Sequence, residues 1–140
     1  PMKLNSNILV NLRKACNEGI TMKAAIHEFR GVTYVWDVVR NMEKAFSLPG
    51  GIYNFGCGNT MNSYELHLKV ATLMGLKEPS AWILPDQERF SEQERNLTMD
   101  CSLIGAHGIA LLAYVIFPVI FLAVFTSTTN LPLCSPTTNR

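Results

Sequence analysis

The sequence lacks the residue spacings that hold metal ions. Its four cysteines, Cys16, Cys57, Cys101 and Cys134, form no C-x-x-C pair, and only three histidines accompany them. Zinc modules need ligands clustered at short intervals, so this pattern excludes the common ones. Because no paired cysteine framework is present, we expect the thiols to be reduced, as in cytosolic proteins.

The chain also lacks a strong excess of charge of either sign. Its formal net charge is +1, so no strong field favours nucleic acid or an anionic membrane surface as a partner. After Asp100 the only charged residue is Arg140. Such an abrupt change indicates two segments of different origin or different solvent environment.

A complete dinucleotide-binding fingerprint is missing as well. The stretch NFGCGNTMNSYE (54–65) has glycine at positions 56 and 58, but Met61 stands where the motif G-x-G-x-x-G needs its third glycine. The acidic residue that binds the ribose should end a second strand about 20 residues further on. Glu78 in that region precedes a proline instead. The stretch is therefore predicted to be a turn that leads into a capped helix.

The apolar pattern that is present alternates between helical and extended periods. The predicted elements are a helix over 5–18, an extended stretch over 21–29, a strand over 32–36, a helix over 38–46, a strand over 52–55, a helix over 64–74, a strand over 81–84 and a short element over 97–104. Asp37 and Ser63 are the predicted helix caps. Five apolar residues of the second helix are predicted to share one face: Val38, Val39, Met42, Ala45 and Phe46. The alternation predicts an α/β layer with parallel strands.

Three stretches, taken in order, resemble one enzyme family. They are RGVTYVWDVV (30–39), GGIYNFGCGNTMNSYEL (50–66) and QERNLTMDCSLI (93–104). Around them, residues 7–109 resemble the C-terminal half of extended short-chain dehydrogenase/reductases that act on nucleotide sugars. Within that family the segment is most similar to the dTDP-4-dehydrorhamnose reductase-like branch and to the related NAD-dependent epimerases and dehydratases.

The resemblance implies that residues 1–108 are the substrate-binding lobe, an incomplete part, of a Rossmann-type fold. Because the chain begins with Pro1, we expect a fragment or truncated isoform of a longer product. The family's glycine-rich loop and Tyr-x-x-x-Lys pair are absent. The nearest match is Tyr64 with Lys69, a spacing that turns the two side chains apart on a helix. We expect no catalytic residue and no bound cofactor here, although NAD(P) is implied for the complete parent enzyme.

The family uses arginines to clamp the diphosphate of the nucleotide sugar, because the guanidinium fork pairs with phosphate oxygens at two points. By position, the resemblance assigns this role to Arg30 and Arg95, with Asn54 as a further substrate contact. Each residue has an alternative role. Arg30 could pair with Asp37, Arg95 lies in a charged run, and Asn54 could bond to the backbone at a strand end.

Residues 109–125 form an apolar tail segment without a charge, close to the lower length limit of a membrane span. Pro118 would break a soluble helix but is tolerated in lipid. Three interpretations stay open: a tail read out of frame or spliced unusually, a membrane anchor, and a segment packed against the lobe. Residues 126–140 are predicted to be a disordered polar tail. The expected location is cytoplasmic or, with an anchor, membrane-attached.

The combined prediction is the nucleotide-sugar-binding lobe of an NAD(P)-dependent sugar reductase or epimerase, inactive by itself. By resemblance, the parent reaction moves hydride between nicotinamide and a 4-keto sugar nucleotide. The expected partners are a nucleotide sugar and either the missing Rossmann half or a second copy of the chain. Two alternatives remain: a non-catalytic binding or regulatory module, because some members of this branch are regulatory subunits, and a small membrane-anchored protein.

Overall fold

The computed structural model describes residues 8–111. The elements in chain order are α1 (Ile8–Glu18), β1 (Met22–Ala25), β2 (Glu28–Arg30), α2 (Val35–Phe46), α3 (Ser63–Leu73), α4 (Pro79–Trp82), β3 (Ile83–Asp86), β4 (Arg95–Leu97) and α5 (Ser102–Ala106). The strands pair in parallel in two small sheets, β1 with β3 and β2 with β4. The prediction of a mixed α/β arrangement with parallel strands is therefore confirmed.

The main apolar core joins α1, α3, β1 and β3. Its buried side chains are Leu12, Ala24, Leu66, Val70, Ala71 and Ile83. Val70 and Ile83 are completely enclosed, and burying a side chain of this size contributes about 1.5–3 kcal/mol. This core fixes α3 against the β1–β3 sheet and so positions the polar residues that α3 carries.

A second apolar cluster lies around the end of the described chain. Its buried members are Cys57, Ile104, Ile109 and Leu111. The packing therefore continues past residue 108, the predicted end of the lobe, as far as Leu111. The rest of the apolar tail segment and the polar tail lie outside the described residues. Within residues 8–111, no helix is both long and apolar enough to cross a membrane.

Helix α3 begins with a reciprocal cap. The Asn62 side chain accepts a hydrogen bond from the backbone N–H of Glu65 at 2.9 Å, and the Glu65 carboxylate accepts one from the Asn62 N–H at 2.9 Å. This capping box satisfies two backbone donors that the first turn leaves unpaired. The prediction that Ser63 caps the helix is wrong by one residue, because Asn62 has the extended backbone of a cap and Ser63 is already helical.

Helix α2 begins two residues before the predicted cap. Its N-cap is Tyr34, which has extended backbone angles and no side-chain capping bond. The predicted strand over 32–36 and the predicted cap Asp37 are therefore wrong. Asp37 instead lies buried in the first helical turn, with its carboxylate 3.6 Å from a guanidinium nitrogen of Arg40. The positive end of the helix favours a carboxylate at this position.

The five apolar residues of α2 that were predicted to share one face do so, because their spacing is i, i+1, i+4, i+7 and i+8 on the observed helix, but only one edge of that face is covered. Val38 and Ala45 pack against the second cluster. Four others, spaced i, i+4, i+7 and i+11, are exposed along one side: Val35, Val39, Met42 and Phe46. We call these four residues the α2 stripe. Within residues 8–111, no other element covers it.

Other predicted boundaries also need correction. The segment 52–55 is not a strand, and Ile52 is 93% exposed. The extended stretch 21–29 divides into β1 and β2 at a bend, and the short element 97–104 divides between β4 and α5. The predicted strand 81–84 begins at Ile83 and runs through Pro85 to Asp86. Proline fits there because β3 pairs on one side only within residues 8–111.

Candidate functional site

Strands β2 and β4 bring three charged side chains to one side of their sheet. In a strand, residues i and i+2 point to the same face, so Glu28 and Arg30 lie together. The parallel register places Arg95 opposite Glu28, and residues opposite each other share a face. The two arginines that the resemblance assigns to one ligand therefore meet at a single carboxylate.

Glu28 is the centre of this arrangement. It is only 5% exposed, and its Oε1 accepts a hydrogen bond from Nη2 of Arg30 and lies 3.5 Å from Nη1 of Arg95. The arginine side chains themselves remain 46% and 43% exposed. A buried carboxylate requires such partners. Because each guanidinium has five N–H donors, the contact with Glu28 occupies one nitrogen of each arginine and leaves further donors for a ligand.

A cavity of about 540 Å³ opens beside this charged group; Glu28 and Arg30 line it, whereas Arg95 contacts Glu28 from outside the lining. Its polar lining residues are Asn11, Lys23, Glu28, Arg30, Ser63, His67 and Arg89. Its apolar lining residues are Ile8, Met22, Ala24, Ala25, Val32 and Leu66. The volume lies within the usual range of small-molecule sites. Three cationic side chains face one carboxylate, so the cavity carries a net positive charge even when its histidine is neutral.

His67 is the titratable residue that α3 contributes to the cavity. Its Nδ1 lies 2.6 Å from the backbone carbonyl of Ser63. A carbonyl only accepts, so Nδ1 holds the proton and Nε2 is an acceptor in the neutral ring. Burial lowers the pKa of His67 below 6.5, an effect that Arg30 reinforces and that the Ser63 carbonyl and Glu28 oppose. His67 is therefore neutral at pH 7 and adds hydrogen-bonding capacity rather than charge.

Asn59 supports the backbone of Arg30 from the loop before α3. Its Nδ2 donates to the Arg30 carbonyl at 2.9 Å and to the Met61 carbonyl at 3.0 Å, while its Oδ1 accepts from the Met61 N–H at 3.1 Å. This side chain bonds to its own loop and to the end of β2 at the same time. It therefore ties the glycine-containing loop to the strand that carries Arg30.

The two glycines of that loop have different surroundings. A Cβ on Gly56 would lie 2.5 Å from the Met99 side chain and 3.4 Å from Oγ1 of Thr33, whereas a Cβ on Gly58 would meet nothing within 4 Å. The N–H of Cys57 donates to the same Thr33 hydroxyl at 3.0 Å. Gly56 thus permits a close approach between segments of this chain. The loop leads into capped α3 as predicted, but the predicted turn is not formed at residues 57–61.

Asn54, the third predicted substrate contact, is not brought together with the two arginines. It is exposed and does not line the cavity. Its Nδ2 donates to the backbone carbonyl of Asp100 at 2.8 Å, which matches its alternative role as a backbone-binding side chain. Arg30, in contrast, does not take its alternative role as the partner of Asp37. Arg30 pairs with Glu28, and Asp37 contacts Arg40.

The sequence reasoning missed four charged or titratable members of the site: Lys23, Glu28, His67 and Arg89. Glu28 could have been found, because an extended segment places it on the same face as Arg30. The other three required the packing of β1, α3 and the β3–β4 loop. Within residues 8–111, no group of three or more histidine, cysteine, aspartate or glutamate side chains could hold a metal ion.

Comparison with known proteins adds no relative to this geometry. No protein-family model matches the sequence, and a search of the curated proteins finds no significant match.

Proposed function

We propose that this chain is a nucleotide-sugar-binding lobe, related to NAD(P)-dependent sugar reductases and epimerases, that clamps the ligand's diphosphate with Arg30 and Arg95. The observation that carries the proposal is the convergence of both arginines on buried Glu28. The two arginines lie 65 positions apart in the sequence, and the family resemblance independently assigns both to one ligand.

The charge and shape of the neighbouring cavity support an anionic ligand. Lys23, Arg30 and Arg89 outnumber Glu28 along its lining. A diphosphate diester carries about one negative charge per phosphate, and two charges would complement this excess. The apolar side of the cavity suits a sugar or base, because ligand sites combine apolar walls with a few polar groups.

We propose that the hydride-transfer chemistry belongs to a cofactor-binding half outside this lobe. The catalytic pair and the glycine-rich loop of the family are missing from the sequence, so the chain alone should be inactive. The α2 stripe offers an apolar surface for such a Rossmann half or for a second copy. Cys57 and Cys101, which form no disulfide within residues 8–111, fit the proposed cytoplasmic location.

The direct test is calorimetric titration of the complete chain with UDP-glucose, dTDP-glucose and GDP-mannose. At least one should bind saturably. Arg30→Ala and Arg95→Ala should each weaken that binding by about 1.5–3 kcal/mol, the range for a hydrogen bond to a charged group. Arg30→Lys should recover only part, because the planar fork is lost.

Arg13→Ala is the matched control, because Arg13 is an exposed arginine that neither lines the cavity nor pairs with Glu28. NADH and NADPH should show no saturable binding tighter than about 100 μM, or roughly 5.5 kcal/mol. If all three nucleotide sugars fail to bind, or if Arg13→Ala weakens binding as much as Arg30→Ala, the proposed function is wrong.

The exposed α2 stripe favours a second candidate, a non-catalytic module that binds or regulates another protein. Such a module needs an apolar contact surface but no ligand in the cavity. The same titration separates the candidates, because the module predicts that the nucleotide sugars leave the chain unbound.

A further inference from the structure

The loop between β3 and β4 contains an aromatic residue between two arginines. The guanidinium carbon of Arg89 lies 5.1 Å from the ring centroid of Phe90, and that of Arg95 lies 5.3 Å from the same centroid. Both distances fall within the range of cation–π contacts. One ring therefore holds two cations whose mutual repulsion would otherwise separate them.

The backbone of Phe90 is part of this arrangement. Its φ angle is +65°, in the left-handed region that residues with a Cβ rarely adopt. Such a conformation persists where the surrounding contacts determine it. Around Phe90 these contacts are the hydrogen bond from the Ser91 N–H to the Glu88 carbonyl at 3.2 Å and the two guanidinium groups over the ring, one of which continues to Glu28.

Arg89 also reaches the cavity, where it lies with Lys23 and Arg30. Arg30 is partly neutralised by Glu28. Within residues 8–111, no ion pair reaches Lys23 or Arg89. These two cations of the cavity lining therefore remain available to an anionic ligand without competition from a carboxylate partner, in addition to the free donors of Arg30.

We propose that Arg89, held in place by Phe90, is a third guanidinium of the anion site and contacts the second phosphate of a diphosphate ligand. This inference rests on the proposed function, because it assigns a further residue to the same site. It also predicts selectivity: the site should prefer ligands with two linked phosphates over ligands with one. Phe90 is a positioning residue, because it acts through Arg89 and Arg95.

The test is titration of the complete chain with inorganic pyrophosphate, with orthophosphate as the single-phosphate reference. Wild type should bind pyrophosphate more tightly. Arg89→Gln should weaken pyrophosphate binding at least about tenfold, as expected when a charge-assisted hydrogen bond is lost, and should leave orthophosphate binding within about twofold. Arg13→Gln, an exposed arginine outside the cavity, should behave as wild type.

Phe90 is tested with two substitutions that share its backbone strain. Phe90→Leu removes the π face and should weaken pyrophosphate binding roughly two- to fivefold, the magnitude of an exposed cation–π contact. Phe90→Tyr retains the face and should bind as wild type. A merely structural role would predict equal loss of orthophosphate and pyrophosphate binding in Phe90→Leu.

The outcomes separate this inference from the proposed function. If pyrophosphate does not bind, or binds Arg89→Gln and Arg13→Gln equally, the role of Arg89 is overturned even where UDP-glucose still binds. If pyrophosphate binds with the expected Arg89 dependence but no nucleotide sugar binds, the diphosphate site stands and the nucleotide-sugar proposal fails. Equal affinity of wild type for orthophosphate and pyrophosphate would also overturn the inference.

Discussion

At the scale of single residues, the candidate site depends on a buried carboxylate rather than on its arginines alone. Glu28 occupies one nitrogen of Arg30 and one of Arg95, and this limits the directions in which the remaining N–H donors can point. Arginine pairs with phosphate most strongly when its fork is held in a suitable plane. The same carboxylate reduces the net positive charge of the site. Glu28 therefore weakens the attraction for an anionic ligand but restricts the orientation of the two guanidinium groups.

We predict that Glu28→Gln lowers the free energy of unfolding by about 1–2 kcal/mol. The amide keeps an acceptor oxygen but loses the charge that pairs with two guanidinium groups, and their half-exposed side chains limit the loss. Urea denaturation at pH 7 measures it. Glu43→Gln, an exposed carboxylate on α2, should change stability by less than about 0.5 kcal/mol. Equal effects of the two substitutions would mean that Glu28 has no special role.

His67 makes the stability of the fold depend on pH. Because burial lowers its pKa below 6.5, the unfolded chain binds a proton more readily than the folded chain. Stability is therefore complete above about pH 6.5 and falls as the pH drops from there towards the folded-state pKa, by at most about 1.4 kcal/mol per pH unit. Asp100 contributes to stability in a lower pH range. Hydrogen bonds from Ser102 lower its pKa below 3.8, so its contribution is lost as the pH falls from about 3.8 towards the folded-state pKa.

The measurement is the urea midpoint between pH 5 and pH 7. Wild type should lose stability towards pH 5, and His67→Gln should have a flatter profile. His107→Gln is the control, because this histidine is exposed, and its profile should follow wild type. An unchanged slope in His67→Gln would contradict the role assigned to burial.

At the scale of elements, local signals predicted more about helices than about their exact ends. The apolar residues of α3 and the polar residues before it predicted that helix correctly to within a residue at each end. Helix α2 was harder, because the β-branched residues before Asp37 favour a strand in isolation. Tertiary packing of Val38 and Ala45 against the second cluster outweighs that weak preference.

In the charged site, too, the sequence indicated the residues but not how they are brought together. Arg30 and Arg95 could be selected from the sequence by resemblance, yet their meeting depends on the parallel register of β2 and β4. Each of these strands has three residues, too few to show a reliable period. The contribution of Arg89 depends on a loop whose sequence reads only as polar and irregular. A single sequence gives little information about which strands pair when they lie far apart along the chain.

For α3, we predict that Asn62→Ala destabilises the protein by about 0.5–2 kcal/mol through loss of the cap. The helix packs on β1 and β3, so fraying of its first turn also loosens Ser63 and His67 at the cavity. Thermal denaturation measures the effect. Asn62→Ser restores a capping oxygen and should recover most of the stability. If Asn62→Ser is as unstable as Asn62→Ala, the cap is not the cause.

At the scale of the whole molecule, the described chain has two apolar clusters and one apolar surface without a cover. The second cluster includes Ile109 and Leu111, so the packed part of the described chain reaches beyond residue 108. The α2 stripe extends over about 16 Å of helix, and its Phe46 is 82% exposed. Contiguous exposed apolar surface of this kind marks an interaction site or causes self-association.

We predict that the complete chain self-associates in a concentration-dependent manner and that Val39→Lys with Phe46→Lys reduces this association. The lysines interrupt the middle and the end of the α2 stripe without entering either apolar cluster. Size-exclusion chromatography with light scattering measures the mass over a range of concentrations. Asn17→Lys with Ser80→Lys adds the same charge at exposed positions on α1 and α4, so it should associate like wild type.

If this control dissociates as fully as the α2 variant, net charge rather than the stripe governs association. If wild type is a monomer at every concentration, the stripe does not drive contact between copies, and another partner would have to cover it.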